Sequence, residues 1–121
     1  MIGLAVVIGV GRVKGLDFLP GVASGVSGFA EWARTQRFDV VEHSDVDGDP
    51  VDAGSIAQTI RDRLGVGDLE QLFVYFAGHG IGTGGETWLL SDAGQDSNAG
   101  INVTLSQTNA RQCGVHHVAF F

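Results

Sequence analysis

Leu72-Phe73-Val74-Tyr75-Phe76-Ala77-Gly78-His79-Gly80 is the stretch on which the fold turns. It closes an apolar run, Leu69–Ala77, that has the length of a strand and is short for a helix. A run so nearly continuous in apolar residues fits a strand of a parallel sheet covered on both faces. Ligands and catalytic groups of such sheets gather beyond the carboxyl ends of the strands. The run leads straight into Gly78-His79-Gly80, so an imidazole stands at that edge. The flanking glycines permit a sharp turn and close approach of a substrate backbone. They also leave the Gly80 N–H uncrowded and able to bind an oxyanion. Gly-His-Gly by itself is more often an ordinary loop turn, and the weight falls on its surroundings.

Three further apolar runs read as strands: Leu4–Val10, Phe38–Glu42 and Val115–Phe121. The first and last are again nearly unbroken, as for strands covered on both faces. Between them, Val22, Val26, Phe29, Ala30 and Ala33 recur at helical spacing, which predicts a helix over about Val22–Gln36. Ser55 followed by Gln58 has the form of a capping box, with Ile56, Ile60 and Leu64 marking one face and Gly65 ending the helix. Asn102 is placed to cap a third helix that runs to about Gln112 and closes at Gly114. The insert Gly78–Gly100 reads as irregular, with a short hairpin around Thr87–Leu90. Strand–helix alternation of this kind means an α/β domain with a mainly parallel sheet and right-handed crossovers.

The 121 residues suit one domain, residues 1–121, with one core. Net charge is −7, with seven Lys and Arg scattered among fourteen acids, which argues against nucleic acid or an anionic membrane as partner. No run approaches the ~20 apolar residues of a membrane span. Met1–Ile8 lacks the basic flank and cleavage site of a signal peptide. A single cysteine, Cys113, provides no internal disulfide, so a cytoplasmic location is expected.

Phe73-Val74-Tyr75-Phe76-Ala77-Gly78-His79-Gly80 resembles the catalytic-histidine segment of the caspase, metacaspase and paracaspase superfamily of cysteine peptidases. Leu4-Ala5-Val6-Val7-Ile8-Gly9 is similar to that family's first strand. Arg37-Phe38-Asp39-Val40-Val41 is similar to its Gly-Phe-x-Val second strand, with Arg37 where glycine is usual. Trp88-Leu89-Leu90-Ser91-Asp92 resembles the strand after the histidine loop, and Ile101–Leu105 the start of the next helix. Val115-His116-His117-Val118-Ala119-Phe120-Phe121 resembles the strand that delivers the nucleophile. The resemblance is collinear over the chain, and only its Gly-His-Gly segment is sharp alone.

The resemblance implies a caspase-like three-layer sandwich, incomplete in this chain, and a cysteine endopeptidase acting on peptides or proteins. It implies His79 as the catalytic general acid–base and the Gly80 N–H as part of the oxyanion hole. No cofactor and no metal are expected from the residues, although the likeness to metacaspases leaves calcium dependence open. In the family the nucleophilic cysteine lies roughly 50 residues beyond the histidine, after the last of these strands. Here 42 residues follow His79, so the nucleophile is expected just after Phe121. The remainder of the domain, in the same or a second chain, becomes a required partner. A non-catalytic caspase-like interaction module, pairing through its fourth strand, is the alternative. Family members read acidic or basic P1 side chains from the loop after strand one. Leu19–Gly25 has neither matching charge, although Arg12 and Lys14 lie nearby.

Other signals in the chain have plainer structural readings. Cys113 precedes the fourth strand while His79 follows the third, which separates them by roughly 20 Å across parallel strands and removes Cys113 as nucleophile. Gly9-Val10-Gly11-Arg12-Val13-Lys14-Gly15 has the wrong glycine spacing and no following helix for dinucleotide binding; it is instead placed to line a peptide cleft. Asp45-Val46-Asp47-Gly48-Asp49-Pro50-Val51-Asp52 puts Pro50 where a calcium loop needs glycine, and reads as a solvated acidic turn. His116 and His117 alternate faces of a strand and cannot share a metal, and His43 lies on another element. Asp92 can shape the cleft or simply end its strand.

Overall fold

Seven buried residues in succession, Gly3–Gly9, form β1, the centre of the sheet. The computed structural model describes residues 2–82, 86–92, 100–112, 115 and 117–121. After β1 come α1 (Val22–Thr35), β2 (Asp39–Ser44), α2 (Ala53–Val66) and β3 (Gln71–Ala77). Then follow β4 (Gly80–Ile81), β5 (Thr87–Leu89), β6 (Gly100–Asn102), α3 (Val103–Gln112) and β7 (His117–Phe120). The main sheet has the order β2-β1-β3-β7, and every pairing in it is parallel. Gly9 stands opposite both Ser44 and Ala77, so three carboxyl ends form one edge.

Alternation along β1 divides the core into two layers. Leu4, Val6 and Ile8 pack with Leu72, Val74, Ile56 and Val103 on the face of α2 and α3. Val7 packs with Val22, Val26 and Ala30 of α1 on the other. The molecule is therefore an α/β sandwich, a mainly parallel sheet flanked by helices.

Coverage of the two faces is unequal. Expectation had β3 and β7 buried on both sides, as β1 is. Leu72 and Val74 are buried, but Phe73 and Tyr75 on the α1 side are only half-buried. One helix is ~10 Å across and strands lie ~4.8 Å apart, so a single helix shields about two strands. Aromatic rings cover the rest: Phe29 stacks on Tyr75 at 4.5 Å, and Phe73 meets Phe38 at 4.7 Å and Phe121 at 5.5 Å.

Helix ends depart from the sequence reading at two places. Ser55 is not the N-cap of α2. Asp52 is, accepting the Ser55 backbone N–H at 2.8 Å and its hydroxyl at 2.8 Å. A carboxylate just outside the helix satisfies a free N–H and suits the positive end of the dipole. The helix also runs past Gly65 and stops at Gly67, whose φ of 82° supplies the left-handed turn. Asn102 caps α3 as expected, its side chain accepting the Leu105 N–H at 2.9 Å. The insert is more ordered than its composition indicated: β4, β5 and β6 make an antiparallel sheet of their own. Gly114, expected to close α3, lies outside the described residues.

Candidate active site

His79 lies two residues past β3, at the carboxyl edge of the sheet. Three local features hold it there. Gly78 passes so close to the end of β1 that an added Cβ would stand 2.9 Å from the Val10 carbonyl oxygen. A backbone oxygen cannot swing aside as a side chain can, so this position requires glycine. Val10 in turn donates its N–H to the Ala77 carbonyl at 2.9 Å, tying the two strand ends together. Beyond the turn, the His79 carbonyl accepts the Leu89 N–H at 2.9 Å. The β5 strand it joins is anchored by Trp88, which is buried and stacks on Phe76 at 4.9 Å.

The imidazole itself is fixed by the loop after β1. Its Nε2 lies 2.8 Å from the Asp17 carbonyl oxygen. A carbonyl only accepts, so Nε2 carries the proton and donates it. In the neutral ring the lone pair then falls on Nδ1, which becomes the basic atom.

The pairing that holds His79 also orients Gly80. Gly80 stands opposite Trp88 in the antiparallel ladder, and the Leu89-to-His79 bond brackets that pair. It is therefore a non-hydrogen-bonded pair, in which each residue's own N–H turns away from the partner strand. The Gly80 N–H is not spent on β5. A Cβ here would meet only the Thr87 carbonyl, at 3.4 Å.

Loops from β1 and β2 complete the edge. Asp45 receives the N–H groups of Gly11 and Arg12, each at 2.9 Å. The Arg12 guanidinium lies over the Phe18 ring, 4.2 Å from its centroid. Buried Ser91 accepts the Val51 N–H at 2.8 Å and so joins the β2–α2 loop to the insert. A cleft of about 360 Å³ opens among these loops, with Arg12, Lys14, Phe18, Asp45 and Asp92 in its walls. Asp92 meets Lys14 at 3.5 Å, an exposed pair of little energetic weight. A larger apolar groove of about 470 Å³ separates α2 from α3, and His79 lines neither this groove nor the cleft.

The other histidines are elsewhere. His43 accepts or donates at Thr59 Oγ1, 2.8 Å away on α2. Partial burial lowers its pKa, against an opposing pull from the charge of Asp52. His117 sits opposite Gln71, at the amino end of the sheet. Cys113 and His116 lie outside the described residues. Among the described residues, no three His, Cys, Asp or Glu side chains are placed to share a metal ion. No described helix is long and apolar enough to cross a membrane.

No protein-family model and no curated protein matches the sequence. Among solved structures, the Drosophila initiator caspase Dronc superposes with a TM-score of 0.72 at 11% identity, over 98% of this chain. The fold is caspase-like. The chain spans about half the length of that caspase, 47%.

What sequence reasoning missed at the site is Asp17. Its contribution is a main-chain carbonyl, which no side-chain motif encodes. The only available signal was topological, since adjacent parallel strands β1 and β3 must deliver their following loops to the same edge.

Proposed function

We propose that this chain is the histidine-bearing part of a caspase-like cysteine endopeptidase domain. The observation that carries the reading is the ring of His79, tied through Nε2 to the Asp17 carbonyl at the carboxyl edge of a caspase-like sheet. A general base needs a fixed ring with one free nitrogen, and this bond supplies both conditions.

The nucleophile is a cysteine supplied by the chain that follows β7. β7 runs parallel to β3 with Phe120 opposite Val74. Continued in the same register, it draws level with His79 about five residues beyond Phe120, since strand partners advance one for one. The thiol gives its proton to Nδ1 of His79 and the thiolate attacks the scissile carbonyl carbon. The resulting oxyanion takes hydrogen bonds from the Gly80 N–H and the cysteine's own N–H. The C–N bond then breaks, and the imidazolium returns its proton to the departing amine. Water, deprotonated by the same imidazole, hydrolyses the thioester and restores the thiol.

The test uses the product of the complete reading frame. An Asp-x-Cys or similar cysteine turn should follow Phe121 within about five residues, as the resemblance implies. In that product His79→Ala should slow turnover by about 10²–10⁴ while leaving the thermal midpoint largely unchanged. A stop codon in place of the cysteine, or full activity in folded His79→Ala, refutes the peptidase and leaves the interaction module.

A further inference from the structure

We propose that Asp45 is a positioning residue for His79, acting through the loop that joins β1 to α1. The inference rests on His79 being the working residue of the site, but its test does not.

Asp45 is the first residue beyond β2, and its N–H extends the ladder to the Gly9 carbonyl at 3.1 Å. Its backbone therefore belongs to the rigid sheet. Its carboxylate turns across the end of β1, where Oδ1 takes the Gly11 N–H and Oδ2 the Arg12 N–H, both at 2.9 Å. Two charge-assisted bonds from one rigid group fix the direction in which the chain leaves β1. Gly11 is close-packed at this point, since a Cβ would meet Phe18 at 3.2 Å and the Leu19 carbonyl at 3.4 Å.

The far limb of the loop is tied to the same anchor. Leu19 donates its N–H to the Gly11 carbonyl at 2.9 Å, closing the loop at its base. The Arg12 guanidinium over Phe18 clasps the two limbs once more. Asp17 is next to Phe18, and its carbonyl is the acceptor for His79 Nε2 at 2.8 Å. The path thus runs from β2 through Asp45 to Gly11 and Arg12, across to Leu19 and Phe18, and through Asp17 to the imidazole.

The arrangement needs a carboxylate. Asparagine has one acceptor oxygen and would set its NH₂ donors against a second N–H donor. Asp45→Asn should therefore disturb the loop although its size is unchanged. Asp47, in the same acidic turn, makes no bond to the loop among the described residues, and Asp47→Asn is the charge-matched control.

The experiment observes the ring proton of His79 by NMR in this chain labelled with ¹⁵N-histidine, the signal being assigned by its loss in His79→Gln. A ring N–H held by a carbonyl exchanges slowly with water, and one that is released exchanges fast. Wild type and Asp47→Asn should show a protected Nε2–H. Asp45→Asn and Asp45→Ala should accelerate its exchange at least about tenfold, together with the amide of Leu19, while amides of β1 and β3 keep their protection. Unchanged protection in folded Asp45→Ala overturns the proposal, as does a wild-type ring proton that is never protected. Loss of the whole folded spectrum in both variants also overturns it, because Asp45 would then support the fold and not the ring. Failure of the peptidase reading appears separately, as absent turnover in the complete product with the ring proton still protected.

Discussion

Replacing Arg37 by glycine is expected to stabilise the protein by about 0.5–1 kcal/mol. α1 ends with two crossed bonds, Phe38 N–H to the Ala33 carbonyl and Arg37 N–H to the Arg34 carbonyl, both at 3.0 Å. That pair defines a Schellman turn, whose penultimate residue must adopt a left-handed conformation. Arg37 does so with φ at 65°, the only such non-glycine among the described residues. An L-residue pays about 1–2 kcal/mol there. Glycine removes that cost but loses about 0.5–1 kcal/mol through its greater freedom in the unfolded chain. The Arg37 side chain is exposed and forms no ion pair among the described residues, so nothing else is lost. At about 2.1 cal/mol/K per residue, the unfolding entropy of a chain this size is roughly 0.25 kcal/mol/K, and the gain becomes about 2–4 °C in Tm. Paired thermal and urea melts measure it. Gly67→Ala supplies the opposite sign: φ is 82° and a Cβ would touch nothing, so its cost is conformational alone. A Tm for Arg37→Gly that is unchanged or lowered would refute the reasoning.

His43 loses hydration in the fold, so its pKa falls below the ordinary value. Above about pH 6.5 both states carry a neutral ring and stability is unaffected; below it the unfolded chain binds a proton that the folded one resists, and stability declines. His43→Gln should flatten this slope in urea midpoints taken from about pH 8 to 5, and an identical slope in the variant would sink the assignment. Asp52→Ala should cost about 1 kcal/mol as a lost N-cap, and Ser55→Ala less. The backbone N–H and hydroxyl of Ser55 hold the Asp52 carboxyl below its usual range, so the cap's contribution is complete above about pH 4 and disappears as pH falls through the folded value. Chemical denaturation of both variants at neutral and acidic pH decides it, and a larger loss for Ser55→Ala would reverse the capping order.

The succession of strands and helices and the parallel sheet were legible because the apolar runs at Leu4, Leu69 and Val115 have strand length and alternate with helical periodicity; the strand order β2-β1-β3-β7 was not read. Arg37 shows how a departure from pattern carries information: glycine is usual in the resembling family at this place, and the backbone here still takes glycine's conformation. The three-stranded antiparallel sheet showed only as a short hairpin around Thr87–Leu90, because β4, β5 and β6 have only two or three residues each, too few for periodicity to register. At Ser55 the capping-box pattern competed with Asp52 three residues earlier, and the carboxylate, beginning the helix one turn sooner, prevailed. Gly78-His79-Gly80 was visible as a motif, and its placement at the sheet edge followed from topology. The partner of His79 was not visible, since Asp17 contributes a carbonyl, and neither was the anchor of its loop, since Asp45 bonds to main-chain N–H groups. In both, the main-chain group involved is one that almost any residue at that position would offer.

The unequal cover of the two faces gives the chain a pair of intrinsic fluorophores in contrasting surroundings. Trp32, 44% exposed on α1, lies flat against Phe73 on the thinly covered side, whereas Trp88, 4% exposed, lies flat against Phe76 beside the His79 turn. Emission from the first should be red-shifted and open to iodide, and emission from the second blue-shifted and shielded. With a single phenylalanine substitution at either position, each layer can be followed optically by itself. The indole at position 88 then records events at the histidine edge without any label attached to it.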